Sequence, residues 1–186
     1  MRRLSVPTGI VLVAGLTTTL APAAIAPRLS LESMIDRSPL IVEGHVTRSW
    51  TAWDSAHQYI WTHYEVQVTD SLRGPGSNLT VSEPGGSLDG VNQGFSGSVG
   101  YASGEHILLF LFRTPAGYWR TTGGAQGKVT VRGNGRVQID ARGTLPIDFH
   151  RDRPAHELGS VDNLAVGDFK LLVRSLAHSR AALEVR

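Results

Sequence analysis

Leu40–Trp50 reads LIVEGHVTRSW and Tyr59–Pro75 reads YIWTHYEVQVTDSLRGP, with a polar turn between them. In the first run Val42, Gly44 and Val46 alternate with Glu43, His45 and Thr47; in the second Tyr64, Val66 and Val68 alternate with His63, Glu65 and Gln67. A period of two puts alternate side chains on opposite faces of an extended chain, so each run is expected to be a half-buried strand. Trp53-Asp54-Ser55-Ala56-His57 makes the connection, and the pair becomes a long hairpin. Two strands alone cannot cover their apolar face.

Further strands follow. Gly74-Pro75-Gly76-Ser77-Asn78 is a turn, and Leu79–Glu83 a short third strand. His106–Phe112 is apolar on both faces, which suits a central strand covered twice. Tyr118–Thr122 is its expected partner across Pro115-Ala116-Gly117. Lys128–Arg132 and Arg136–Asp140 form a second hairpin around Gly133-Asn134-Gly135, with Val129, Val131, Val137 and Ile139 inward. Ser30–Ser38 reads as a short helix capped by Ser30 and ended by Pro39, with Leu31, Met34 and Ile35 on one face. A last helix is expected to start at Asp168 as cap, its stripe of Phe169, Leu172, Val173, Leu176 and Ala177 buried against the open end of the β-core. The fold class is all-β with two flanking helices.

Met1–Ala26 has the layout of a secretory signal: Arg2 and Arg3, an apolar run over Ile10–Leu16, and small residues over Ala21–Ala26. Cleavage is expected after Ala26 or after Ala23. The run is too short to anchor the chain, so no membrane span is expected once the leader is gone, and the product is expected to be secreted or periplasmic. Loss of Arg2 and Arg3 takes Lys plus Arg from 18 to 16 against 16 Asp plus Glu. A neutral chain lacks the clustered surplus of cations that nucleic acid requires, and nucleic-acid binding is not expected. The chain has no cysteine, which excludes disulfides, thiolate metal sites and a cysteine nucleophile.

Pro84–Gly104 is a long glycine-rich stretch. Gly94-Phe95-Ser96-Gly97 has neither the GK[ST] ending of a phosphate loop nor the spacing of a serine nucleophile elbow. It is either an irregular crossover or a partner-facing loop, with Phe95 and Tyr101 as its candidate contact residues. Trp50, Trp53, Tyr59 and Trp61 gather at the tip of the first hairpin. Such aromatics either cap the core or present a binding face. If Val46 lies opposite Tyr64, then His45 faces Glu65 and Thr47 faces His63. His45, His63 and Glu65 would then be candidate zinc ligands on the outer face. His150 and His156, among Asp148, Asp152 and Glu157, read as solvated charge. No cofactor is expected.

A short helix leading into LIVEGHV, a long hairpin returning as YEVQVTDSLRGP, a short strand with an irregular loop, and then GEHILLFL make an order that resembles the netrin-like or tissue-inhibitor-of-metalloproteinase-like modules. The succession Gly44–Val46, Glu65–Pro75, Pro84–Gly86, Gly104–Leu111 and Gln126–Lys128 is also similar to a class of uncharacterised exported bacterial β-proteins. The resemblance covers residues 30 to 140 and implies a small OB-like antiparallel barrel over 27–140, followed by a turn-rich segment and helix over 141–186. It does not carry over the inhibitors' chemistry, which places an N-terminal cysteine on the protease zinc. The expectation is an exported, non-enzymatic binding module contacting a protein, such as an exported protease, or a cell-envelope component. The alternative is a metal-binding protein or metal-dependent hydrolase built on His45, His63 and Glu65.

Overall fold

The computed structural model describes residues 26–140, 144–145 and 161–184. The expected leader, apart from Ala26, and the turn-rich 141–159 segment, apart from 144–145, lie outside the described residues. In chain order the elements are β1 (Ala26–Pro27), α1 (Leu31–Asp36), β2 (Leu40–Trp53), β3 (Ile60–Arg73), β4 (Leu79–Pro84), β5 (Gly86–Leu88) and β6 (Val91–Gln93). They continue with β7 (His106–Arg113), β8 (Trp119–Thr121), β9 (Lys128–Val131), β10 (Val137–Ile139), β11 (Thr144–Leu145) and α2 (Val166–Glu184).

The fold is strand-rich, with two helices. Its seven-stranded sheet runs β10-β9-β7-β2-β3-β4-β8, and β8 pairs additionally with β7. Followed from β7 through β2, β3, β4 and β8, the pairings return to β7. All are antiparallel except the β4–β8 contact at Val81 and Trp119. The apolar residues sort by face. Val42, Val46, Tyr64, Val66, Val81, Ile107, Leu109 and Leu111 form one buried cluster. Ile41, Leu108, Phe110, Val129 and Val137 project the other way and meet α1 and α2 through Leu31, Met34, Phe169 and Val173. β7 is thus covered on both sides, as its sequence requires. Ser30 caps α1 by accepting from the Ser33 amide at 3.2 Å.

Four expectations need correction. α2 begins at Val166, so Asp168 sits inside its first turn and is not the cap. The helix covers a face of the sheet, not its open end, and it changes the environment of Glu43. That residue is buried there opposite Asp70 on β3. Two carboxylates directly across a ladder repel. Lys170 of α2 resolves the conflict, with Nζ 2.6 Å from Glu43 Oε2 and 2.5 Å from Asp70 Oδ2. Arg174 gives Asp70 two further bonds of 2.7 and 2.9 Å, and His106 Nε2 meets Glu43 Oε1 at 2.9 Å.

The third correction is register. Val46 lies opposite Val66, not Tyr64, and Thr47 is a bulge that leaves Arg48 opposite Glu65 and Trp50 opposite His63. An extra residue reverses the alternation beyond it. Inside the bulge the even-numbered side chains of β2 share the face of Val66; outside it, the odd-numbered ones share the face of Tyr64. Finally, the glycine-rich stretch is not irregular throughout. β5 and β6 form a small hairpin, turning at Asp89 (φ 51°) and Gly90 (φ 78°). Two successive positive φ values are the two-residue turn that Asp-Gly favours.

Candidate functional site

The tip of the β2–β3 hairpin and the β5–β6 hairpin are bound together. The tip closes with Asp54, whose Oδ1 accepts from the Gln58 amide at 2.7 Å while its own amide reaches the Tyr59 carbonyl at 2.8 Å. Gln93 then clamps the two pieces. Its Oε1 accepts from the Ile60 amide at 2.7 Å, and its Nε2 donates to the Gln58 carbonyl at 3.1 Å. Thr62 Oγ1 donates to the Gly85 carbonyl at 2.6 Å, Thr51 Oγ1 to the Ser87 carbonyl at 3.2 Å. Gly86 lies so near the hairpin that a Cβ there would stand 2.7 Å from Thr62 Oγ1. The bulge at Thr47 is what turns Thr51 toward this contact.

On this scaffold the expected contact residues separate into three environments. Tyr59 meets Phe95 edge to face at 5.8 Å, joining the tip to the loop. Trp53 stacks on His57 at 5.8 Å and its Nε1 donates to Asp89 Oδ2 at 3.4 Å. Trp50 and Trp61 turn to the outer face instead. There Arg48 sits 4.8 Å from the Trp50 ring, Trp50 stacks on His63 at 5.2 Å, and Trp61 packs on Tyr118 at 4.8 Å. Planes stacked along the sheet contact one another through their faces, so this ladder stiffens the hairpin. Tyr101 turns inward. Its hydroxyl bonds Thr121 Oγ1, its ring packs edge-on against Tyr64 at 4.7 Å, and burial pushes its pKa well up.

Among the described residues the exposed large hydrophobic side chains are Trp50 (38%), Tyr59 (48%), Val91 (42%), Phe95 (38%) and Leu171 (66%). Four of these five belong to the hairpin tip and the loop facing it. Val91 was missed in the sequence, although Asp89-Gly90 between Leu88 and Val91 is a hairpin signal.

His45, His63 and Glu65 do not converge. The corrected register sets His45 opposite Gln67, and its ring stacks on His106 at 4.4 Å. His63 Nδ1 shares a 2.8 Å hydrogen bond with Ser82 Oγ, and Glu65 Oε2 accepts from Arg48 Nε at 3.1 Å. Desolvation lowers the pKa of His63, keeping it neutral beside Trp50. Among the described residues no group of three His, Cys, Asp or Glu is placed to hold a metal ion, and no helix is long and apolar enough to cross a membrane. No family model matches the chain, nor does any curated protein or solved structure.

Proposed function

We propose that the chain is an exported binding module without enzymatic activity, built on an OB-type barrel. It takes hold of a protein, such as an exported protease, or of a cell-envelope component through the hairpin tip and the glycine-rich loop. The circuit of pairings through β7, β2, β3, β4 and β8, with one parallel step, supports the barrel. The observation that carries the function is the grouping of Tyr59, Val91 and Phe95, exposed on the hairpin tip, on β6 and on the loop just after it, with Gln93 tying these pieces together. Aromatic side chains on a fixed backbone lose little further entropy when a partner covers them, and a handful of such anchors supplies most of an interface's affinity.

The test is comparative capture from envelope extract and culture fluid with the immobilised chain and with its Tyr59→Ala/Phe95→Ala double variant. A species retained by the first and depleted about tenfold or more on the second is expected. Identical retained profiles would remove the reading. No observation favours the metal-dependent alternative; stoichiometric zinc in the purified chain, lost in His63→Ala, would restore it.

A further inference from the structure

Below the glycine-rich loop the surface opens into a cleft of about 270 Å³. That is just below the usual range for small-molecule sites, about 300–1,000 Å³, and suits a group the size of one side chain. Its walls are Thr62 and Tyr64 of β3, Glu83 at the end of β4, and Phe95 and Ser98 of the loop. Among the residues lining it, Glu83 is the one with a full charge.

Glu83 is 2% exposed. Its Oε1 accepts from the Thr121 amide at 2.9 Å, and the Thr121 side chain hydrogen-bonds the carboxylate as well. Its Oε2 lies 3.3 Å from Arg120 Nη2 and 3.4 Å from Arg120 Nε. Those two contacts are longer than a charge-assisted bond normally runs, about 2.7–2.9 Å. Arg120 is also drawn toward the outer face, its guanidinium 5.9 Å from the Trp61 ring and 6.0 Å from Phe112. The carboxylate is held, yet its charge is only partly matched. Desolvation accordingly pushes its pKa up despite Thr121 and Arg120. The same negative charge, added to burial, helps to raise the pKa of Tyr64 and Tyr101.

A cleft with one under-matched carboxylate and aromatic walls selects by charge. An anion meets Glu83 unfavourably, and a neutral apolar group leaves its charge as it was. A bare divalent ion needs several oxygen ligands from the site, and here one carboxylate is on offer. We propose that this cleft binds the head of an organic cation, an alkylammonium or guanidinium group, with Glu83 as counter-ion and the rings of Tyr64 and Phe95 against its stem. The cleft shares Phe95 with the rim but is not lined by Tyr59 or Val91. Tyr59→Ala alone, which should weaken capture, should therefore leave cation binding intact, and that single variant lets the two ideas fail separately.

The experiment is a titration of the ¹⁵N-labelled chain with n-butylammonium chloride and methylguanidinium chloride at fixed ionic strength, with n-butanol as the neutral isostere. Saturable shifts are expected at the Gly85, Gly94 and Val99 amides with both cations, and binding about tenfold or more weaker with n-butanol. Glu83→Gln, which keeps an acceptor for Thr121, should weaken the cations about tenfold, whereas Glu65→Gln on the outer face should not. Should Glu83→Gln fail to fold, Phe95→Ala at the exposed wall should weaken them about threefold. Equal binding of n-butanol, no saturable shift with either cation, or unchanged affinity in a folded Glu83→Gln or Phe95→Ala chain overturns the proposal. A Gly-Gly-Lys-Gly-Gly peptide separates the sources: tighter binding than n-butylammonium assigns the cation to a partner's side chain, weaker binding to a free amine.

Discussion

At the base of the β2–β3 hairpin, Glu43 and Asp70 face a nineteen-residue helix that supplies Lys170, Arg174 and Phe169. At its tip, Trp53 and Ile60 close the ladder against two three-residue strands and a loop. Both ends are rich in polar contacts, but they differ in what a lost contact leaves behind. At the base a missing partner strands a buried charge. At the tip it exposes a ring to water that is already nearby. The base therefore holds the fold, and the tip is free to change.

Substitutions can break that contrast. Phe169→Ala removes a fully buried ring from the layer between α2 and the sheet, and should cost about 3–5 kcal/mol, read as a large fall in the denaturant midpoint. Lys170→Ala removes the cation shared by Glu43 and Asp70, leaving the first to His106 and the second to Arg174. Lys170 is 20% exposed, so the loss should fall below the fully buried case, at about 2–3 kcal/mol. Trp50→Ala takes one plane from the outer ladder and should cost about 0.5–1.5 kcal/mol. Tyr59→Ala should change the midpoint by less than about 0.5 kcal/mol. A tip variant that unfolds the chain, or a base variant that does not, would erase the distinction.

Acid sharpens it. Burial disfavours the Asp70 carboxylate, but hydrogen bonds and charge from Lys170 and Arg174 outweigh it and lower its pKa below the ordinary 3.8. Its stabilisation is present above 3.8 and lost as pH falls through the depressed folded value. Lys170 is desolvated too, yet Asp70 and Glu43 raise it above 10.5, so its share lasts until pH climbs through that raised value. His63 behaves oppositely. Its pKa is lowered from 6.5 by burial, so the unfolded chain takes up the proton first and stability falls as pH drops below 6.5. Melting temperature should begin to decline below pH 6.5 in the parent and not in His63→Gln, while the Asp70 contribution persists to below pH 3.8. Coincident acid profiles for the two chains would refute the assignment to His63.

Alternation made the strands of this fold legible. Val42, Val46, Val66, Ile107 and Leu109 lie where a period of two puts them. Alternation is also why the site was misread. Nothing local marks Thr47 as an inserted residue, and one such residue displaced every cross-strand neighbour from Arg48 to Trp53. The grouping of His45 with His63 and Glu65 failed before the bulge is reached, because His45 pairs two residues further along β3, with Gln67. Glu43 looked solvated because its cover, α2, lies more than a hundred residues away in sequence. Asp89-Gly90 carried a turn signal that was passed over inside the glycine-rich stretch, and it separates two short strands. The cleft at Glu83 was not visible, since Tyr64, Glu83 and Phe95 approach one another only after β3, β4 and the loop are assembled.

The bulge also bears on how this surface can diversify. Loss of Thr47 alone would let Arg48 follow Val46 in an unbroken ladder, still opposite Glu65, so Trp50 would stay on the outer face and Thr51 toward the small hairpin while the local kink disappeared. A single-codon deletion there would re-aim the tip and yet keep the set of side chains it presents.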